Sequence, residues 1–261
     1  MDVFGFNMST EQETSASVTL YDLVDATGTI FSAIQIGWEW RTWLTETLGS
    51  VTLYDLVDAA GTSFSAIQIG WEVAPKKYGD SHTHLFTMWT TDGYQKTGCT
   101  NADCAGFQPE KDAPIAPGGV IESVTQPMGV KQSITIKIIK EGILGDWLVY
   151  YGHNHDNIAL FGRFPKSLFN GGMANQAGGI QFGGHVSSPL TDLAPMGSGY
   201  RPTHDVLASA SMRNIQFINQ NGRASPIAED YLLIYMSDSL VYPATPILSG
   251  QFFYGGGPCS R

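Results

Sequence analysis

The segment at 17–39, SVTLYDLVDATGTIFSAIQIGWE, is written again at 50–72 as SVTLYDLVDAAGTSFSAIQIGWE. Only Thr27/Ala60 and Ile30/Ser63 differ, at an offset of 33. Each copy has the pattern of a β-hairpin. Val51, Leu53 and Asp55 alternate with Thr52 and Tyr54, Ala60-Gly61 supplies a turn, and Ser65 to Val73 forms a second strand. The offset is also that of helical repeat arrays, but two copies of strand-type content cannot build one, since an array needs about three or more repeats. The duplication reads as a recent tandem event or a misassembled gene model. Two near-identical hairpins compete for one slot in a sheet. The second copy is expected to take it, because it runs directly into the rest of the chain. That divides the sequence into an N-terminal extension, 1–49, and a domain, 50–261.

Downstream, short apolar runs alternate with turn signals. Expected strands are Leu85–Thr91, Ser133–Lys140 with Ile134, Ile136 and Ile138 on one face, Asp146–Tyr151, Gly179–Val186, Ser211–Asn219, Tyr231–Tyr235 and Gln251–Tyr254. Thirty Gly and thirteen Pro punctuate these runs too often for long helices. Pro165–Phe169 has room for one helical turn. Hydrophobic residues make up 43% and charged residues 15%, enough apolar surface to bury a core. The pattern predicts an all-β fold, an antiparallel two-sheet β-sandwich.

A net charge of −10 without a basic cluster repels phosphate backbones, which argues against nucleic acid as a partner. No apolar run approaches the roughly 18 residues of a membrane span, so no membrane partner is expected. The N-terminus, MDVFGFNMSTEQETSAS, has neither the basic nor the apolar region of a signal peptide. Asn7-Met8-Ser9 is a glycosylation acceptor pattern, meaningful only in the secretory pathway. No phosphate-binding glycine loop or nucleophile elbow is present, and no cofactor is implied.

Several polar residues invite chemistry and have plainer readings. The pairs His82/His84 and His153/His155, with Asp156, have alternate spacing that could chelate zinc or copper on a strand. No third ligand can be assigned, GHNHDN reads as a loop, and no metal is expected. Asp80 reads as a turn cap. Cys99 and Cys104 are too few for a zinc site, and by themselves read as buried thiols or a local disulfide.

From Ile67 the string IQIGWEVAPKKYGDSHTHLFTMWTTDGYQKTGCTNADCAGF resembles the opening of the neprosin catalytic domain. The resemblance continues through GRFPKSLF at 162–169, QFGGH at 181–185, MGSG at 196–199, MRNIQFIN at 212–219 and FFYGGGPC at 252–259. It implies a sandwich of the glutamic-peptidase type with a substrate cleft. Active members are secreted plant peptidases that cut next to proline in acid, which implies an extracellular or vacuolar location. They use two glutamates facing each other across the cleft. One takes a proton from water while the other polarises the carbonyl and protonates the leaving nitrogen.

The matching positions here are Gln68, before the Gly-Trp pair, with Gln35 in the upstream copy, and His185, after Gly183-Gly184. Both glutamates are therefore substituted. Gln68 could act as the amide donor of a Gln–Glu pair, as in fungal relatives with this sandwich. A solvent-reachable His185 would be largely protonated near pH 4 and unable to take a proton. Glu72 is roughly 13 Å along the strand from Gln68, too far to replace it. Trp71, Trp89, Tyr94 and Trp147 could line the cleft and stack on proline rings, with burial in the core as the plainer reading for most of them. The resemblance also implies a Cys99–Cys104 disulfide and an unpaired Cys259, whose family partner would lie near Val241.

The expected function is a catalytically degenerate neprosin-type domain that at most binds proline-rich peptides. The alternatives are a residual glutamic-type endopeptidase using Gln68 and His185, and a lectin-like or structural cell-wall protein.

Overall fold

The computed structural model describes residues 1–24, 63–126, 129–142, 145–154, 157–169, 172–177, 179–189, 191–203, 208–218, 223–227, 234, 236 and 238–257. In chain order the strands are β1 (Glu13–Val24), β2 (Ser63–Val73), β3 (His84–Thr90), β4 (Cys99–Thr100), β5 (Gln108–Pro109), β6 (Ile134–Lys140) and β7 (Trp147–His153). They continue with β8 (Ala159–Phe164), β9 (Gly179–Ser187), β10 (Met196–Gly197), β11 (Ala210–Met212), β12 (Gln216–Ile218), β13 (Ala224–Pro226) and β14 (Phe252–Gly256). A single helical turn, α1 (Pro75–Tyr78), starts on proline and closes on Gly79, whose φ of 80° suits a residue without a side chain.

One sheet has the order β4-β3-β2-β1-β9 and a second β5-β8-β7-β6, with all pairings antiparallel. Their apolar faces share one core, so the fold is an all-β sandwich. Ile67, Ile69, Trp71 and Val73 of β2 alternate inward, and Val149, Tyr151, Phe161 and Phe164 answer from the second sheet. Phe161 and Phe164 are three apart and would normally face opposite ways. A register shift opposite Val149/Tyr150 turns both toward the core. A smaller sheet, β10-β14-β11, closes against β9. A side-chain carbon on Gly184 would lie 2.9 Å from Met196 and 3.1 Å from Tyr254.

β1 is an interior strand of the larger sheet, between β2 and the edge strand β9. It pairs with β2 from Thr14↔Val73 to Val24↔Ser63 and with β9 from Glu13↔Ser187 to Tyr21↔Gly179. The hairpin slot is thus filled by the first strand of the upstream copy and the second strand of the downstream copy, not by the downstream hairpin as a unit. Residues 25–62, with Gln35, lie outside the described residues.

The stretch expected to be an extension also supplies core. Val3 and Phe4 are fully buried, and the Trp71 indole donates to the Asp2 carbonyl at 2.9 Å. The Asp2 carboxylate accepts from the Ser211 amide and hydroxyl at 3.0 and 2.9 Å.

Most expected strands appear within a residue or two. The stretch 211–219 splits into β11 and β12, and His153 ends β7 instead of lying in a loop. Pro165 caps a 3-10 turn at Lys166–Leu168. Of the expected strand at 231–235 all but Ile234 lies outside the described residues.

Candidate functional site

The register fixes which side chains share the outer face of the larger sheet, because directly paired residues point the same way. On that face Glu72, Ser15 and His185 form one row across β2, β1 and β9. Gly70, Ser17 and Gly183 form the next, and Gln68 and Gln181 lie in the third, both in register with position 19 of β1. Gln68 and His185 therefore sit diagonally, one row to either side of Ser17. On a flat sheet their Cα atoms would be about 16 Å apart, from four residues of rise and two strand spacings. Their side chains can only approach each other across Ser17.

The middle row is nearly bare. Gly70 is forced by the approach of β1: a side-chain carbon there would lie 1.9 Å from the Ala16 carbonyl oxygen and 2.6 Å from the Ser17 Cα. Gly183 lacks a side chain on the other flank. Ser17 Oγ is the only side-chain polar group in the strip, and it accepts a hydrogen bond from Gln68 Nε2 at 2.8 Å.

His185 is half-buried and makes no hydrogen bond or ion pair among the described residues. Desolvation lowers its pKa from 6.5 to about 4. Burial thus shifts the ring toward its neutral form, so that it loses its proton at a lower pH than a solvent-reachable histidine would. Glu72, in the same row, is buried and already committed. Its Oε1 accepts from Lys77 Nζ and from the Tyr78 hydroxyl, each at 2.5 Å.

The aromatic residues expected to line a cleft lie elsewhere. Trp71 is fully buried on the inner face. Trp89 pairs with Ile67 on that same inner face, edge-on to Phe169, with its indole nitrogen buried and unpartnered. Tyr94 sits in the turn after β3 at φ 64°, and burial pushes its unpartnered hydroxyl well above the usual tyrosine range. None of the three shares the face of Gln68 and His185.

The histidine pair at 82 and 84 does not form a chelate. His84 spends Nδ1 on the Gly118 carbonyl at 2.7 Å and Nε2 on Asp80 at 3.0 Å, and its ring stacks on Tyr78 with centroids 3.8 Å apart. Asp80 also accepts from the His82 amide at 2.8 Å, the bond of a turn cap. Those bonds hold its carboxyl at about 2, the His84 contact being the largest cause. His153 bonds to the Ser123 carbonyl at 3.0 Å, and His155 and Asp156 lie outside the described residues. No group of three metal-ligating side chains forms among the described residues. Cys99 and Cys104 are joined as a disulfide, while Cys259 lies outside the described residues. No helix among the described residues is long and apolar enough to cross a membrane.

Two surface clefts, of about 360 and 270 Å³, lie away from this face and share Val120, Ile121 and Glu122. Neither contains Gln68, Ser17 or His185, and their lining offers no paired carboxylates. The chemistry is better sought on the outer face of the larger sheet, where an amide donor, a hydroxyl and an imidazole lie in neighbouring rows. Ser17 was not singled out from the sequence, because Ser50 is its twin and nothing in the repeat says which copy enters the sheet. The available signal was the alternation of glycines with polar residues at Gln68-x-Gly70 and Gln181-x-Gly183-x-His185.

The family model described as Neprosin matches residues 49–258. That span holds β2 to β14, including Gln68 and His185, while β1 comes from the copy upstream of it. Matching most of its length over these elements, the chain belongs to the neprosin family.

Proposed function

We propose that this domain binds proline-rich peptides and does not cut them as an acid peptidase. The observation behind this reading is the bare Gly70–Ser17–Gly183 strip flanked by Gln68 and His185, with neither glutamate present. Gly70 and Gly183 put no side chain between Gln68 and His185, and Gln68 and Gln181 can bond the main chain of an extended peptide laid along this face. Hydrolysis of an amide needs a base for the water and a proton for the leaving nitrogen. The Gln68 amide cannot give up a proton, and Glu72 is held by Lys77 and Tyr78. The family and the disulfide support a secreted protein of the extracellular or vacuolar space.

The test pairs titration of a proline-rich peptide with a cleavage assay from pH 3 to 7. Saturable binding with intact peptide is expected. Oligosaccharide binding without peptide binding would favour the lectin-like alternative.

A second reading has one observation in its favour. His185 at about 4 is as basic as the carboxylate it replaces, so it can accept a proton from water in mild acid. A residual glutamic-type endopeptidase using Gln68 and His185 would cleave the same peptide and lose that activity on His185→Ala.

A further inference from the structure

The Ser17 hydroxyl stands at the centre of the diagonal from Gln68 to His185, with glycine on both sides in its own row. One of its two lone pairs accepts from the Gln68 amide at 2.8 Å, so its own proton is directed away from Gln68. His185 is its diagonal neighbour on β9, and such neighbours have Cα atoms about 7–8 Å apart, within the joint reach of a serine and a histidine. The imidazole makes no hydrogen bond among the described residues, Ser17 included, so the two side chains must turn toward each other for a proton to pass. The remaining carboxylates on this face of β1 and β2 are Glu13, one row beyond His185, and Glu72, held by Lys77 and Tyr78.

We propose that Ser17 is an acyl-accepting nucleophile for carboxylic esters, with His185 as its base and Gln68 as the residue that positions its hydroxyl. The proposal rests on the same face being the ligand face, and adds a covalent step to it. Ser17 Oγ attacks the ester carbonyl carbon while its proton passes to His185. The carbon–oxygen bond to the alcohol then breaks, and the alcohol leaves with the proton from the imidazolium. A serine ester remains. Water attacks it, again giving its proton to His185, which returns that proton to Ser17 Oγ as the carboxylic acid departs. A hydroxyl needs a neighbouring base to act in this way, and an activated ester tolerates a weak one. An amide leaving group demands more, so this site and the absence of acid proteolysis are compatible.

The full chain is treated with a fluorophosphonate probe, and separately with p-nitrophenyl acetate, from pH 3.5 to 7.5. The expected result is one label per chain, found on the tryptic fragment 1–41 and not on 42–76, which carries the twin Ser50. The labelling rate should rise through pH about 4 and level off. Ser17→Ala should abolish labelling, while Ser17→Cys, which keeps a nucleophile, should retain a burst with the acetate ester. His185→Ala should slow labelling about 100-fold or more and remove the inflection. Gln68→Met, which fills the same space without donating, should lower the plateau about tenfold and keep the inflection. Absence of label, label on 42–76, or unchanged labelling in a folded Ser17→Ala overturns the proposal. If Ser17→Ala does not fold, an unreactive but folded Ser17→Cys overturns it equally. Peptide titration is run on the same samples. Labelling without peptide binding sinks only the peptide reading, and peptide binding without labelling sinks only the acylation.

Discussion

Excising residues 17–49 should leave the larger sheet intact and make the protein more stable. The deletion joins Ala16 to Ser50, and Ser50–Val57 repeats Ser17–Val24 letter for letter. The product is the same polypeptide that would result from removing 25–57 and leaving β1 untouched. Every pairing from Thr14↔Val73 to Val24↔Ser63 therefore keeps its residues. What changes is the connection between β1 and β2, now the 38 residues 25–62 and afterwards the five residues 58–62. The entropy of chain closure scales as (3/2)RT ln n, so shortening the connection from 38 residues to 5 stabilises the fold by about 1.8 kcal/mol. For a domain of this size that corresponds to roughly 4–7 °C in Tm. The competing strand copies also disappear, which acts in the same direction. Thermal unfolding followed by circular dichroism, on both proteins at the same pH, measures it. A lower Tm, or loss of the cooperative transition, would refute the reasoning and give the excised residues a structural duty.

Gly70→Ala should destabilise the fold by about 3 kcal/mol in denaturant unfolding, since the new methyl meets the β1 backbone and not a side chain that can swing away. A loss below about 0.5 kcal/mol would mean that β1 and β2 are not so tightly apposed. The folded-state pKa of His185 lies below its unfolded value, so the unfolded chain takes the proton first as pH falls. Stability should drop between pH 6.5 and about 4, by at most about 3 kcal/mol, and His185→Gln should flatten that slope. An unchanged slope in the variant would place the imidazole in water. His185→Glu with Gln68 retained should bring measurable acid cleavage of a proline-rich peptide, and adding Gln68→Glu should bring more. If neither substitution yields product, the strip does not seat a scissile bond between these two positions.

The strand pattern was legible because Ile67, Ile69, Trp71 and Val73, like Ile134, Ile136 and Ile138, carry the two-residue period of a half-buried sheet. Gln68 and His185 were legible only through the family motif, and their common face follows from β1 standing in register with both strands. Which copy of the repeat supplies β1 could not be read, since identical sequences have identical propensities and only tertiary context separates them. The core reading of the tryptophans was legible in that same alternation. Trp71 is three residues beyond the outward Gln68 and so faces inward by strand alternation, and Trp89 shares that face by pairing with the inward Ile67. The short strand β8 was missed because its bulge breaks the period that would have announced it.

The place of β1 between β2 and β9 also sets a clock on biosynthesis. Its two neighbours, β2 and β9, follow it in the chain, and the second ends only at Ser187. At about 5–20 residues per second, roughly 8–30 s separate the emergence of β1 from that of β9. During that interval one edge of β1 presents unpaired amides and carbonyls to whatever nascent strands are near, including those of neighbouring ribosomes on the same message. The yield of folded protein should therefore depend on translation speed and on chaperone cover during this window more than on the final stability of the sandwich.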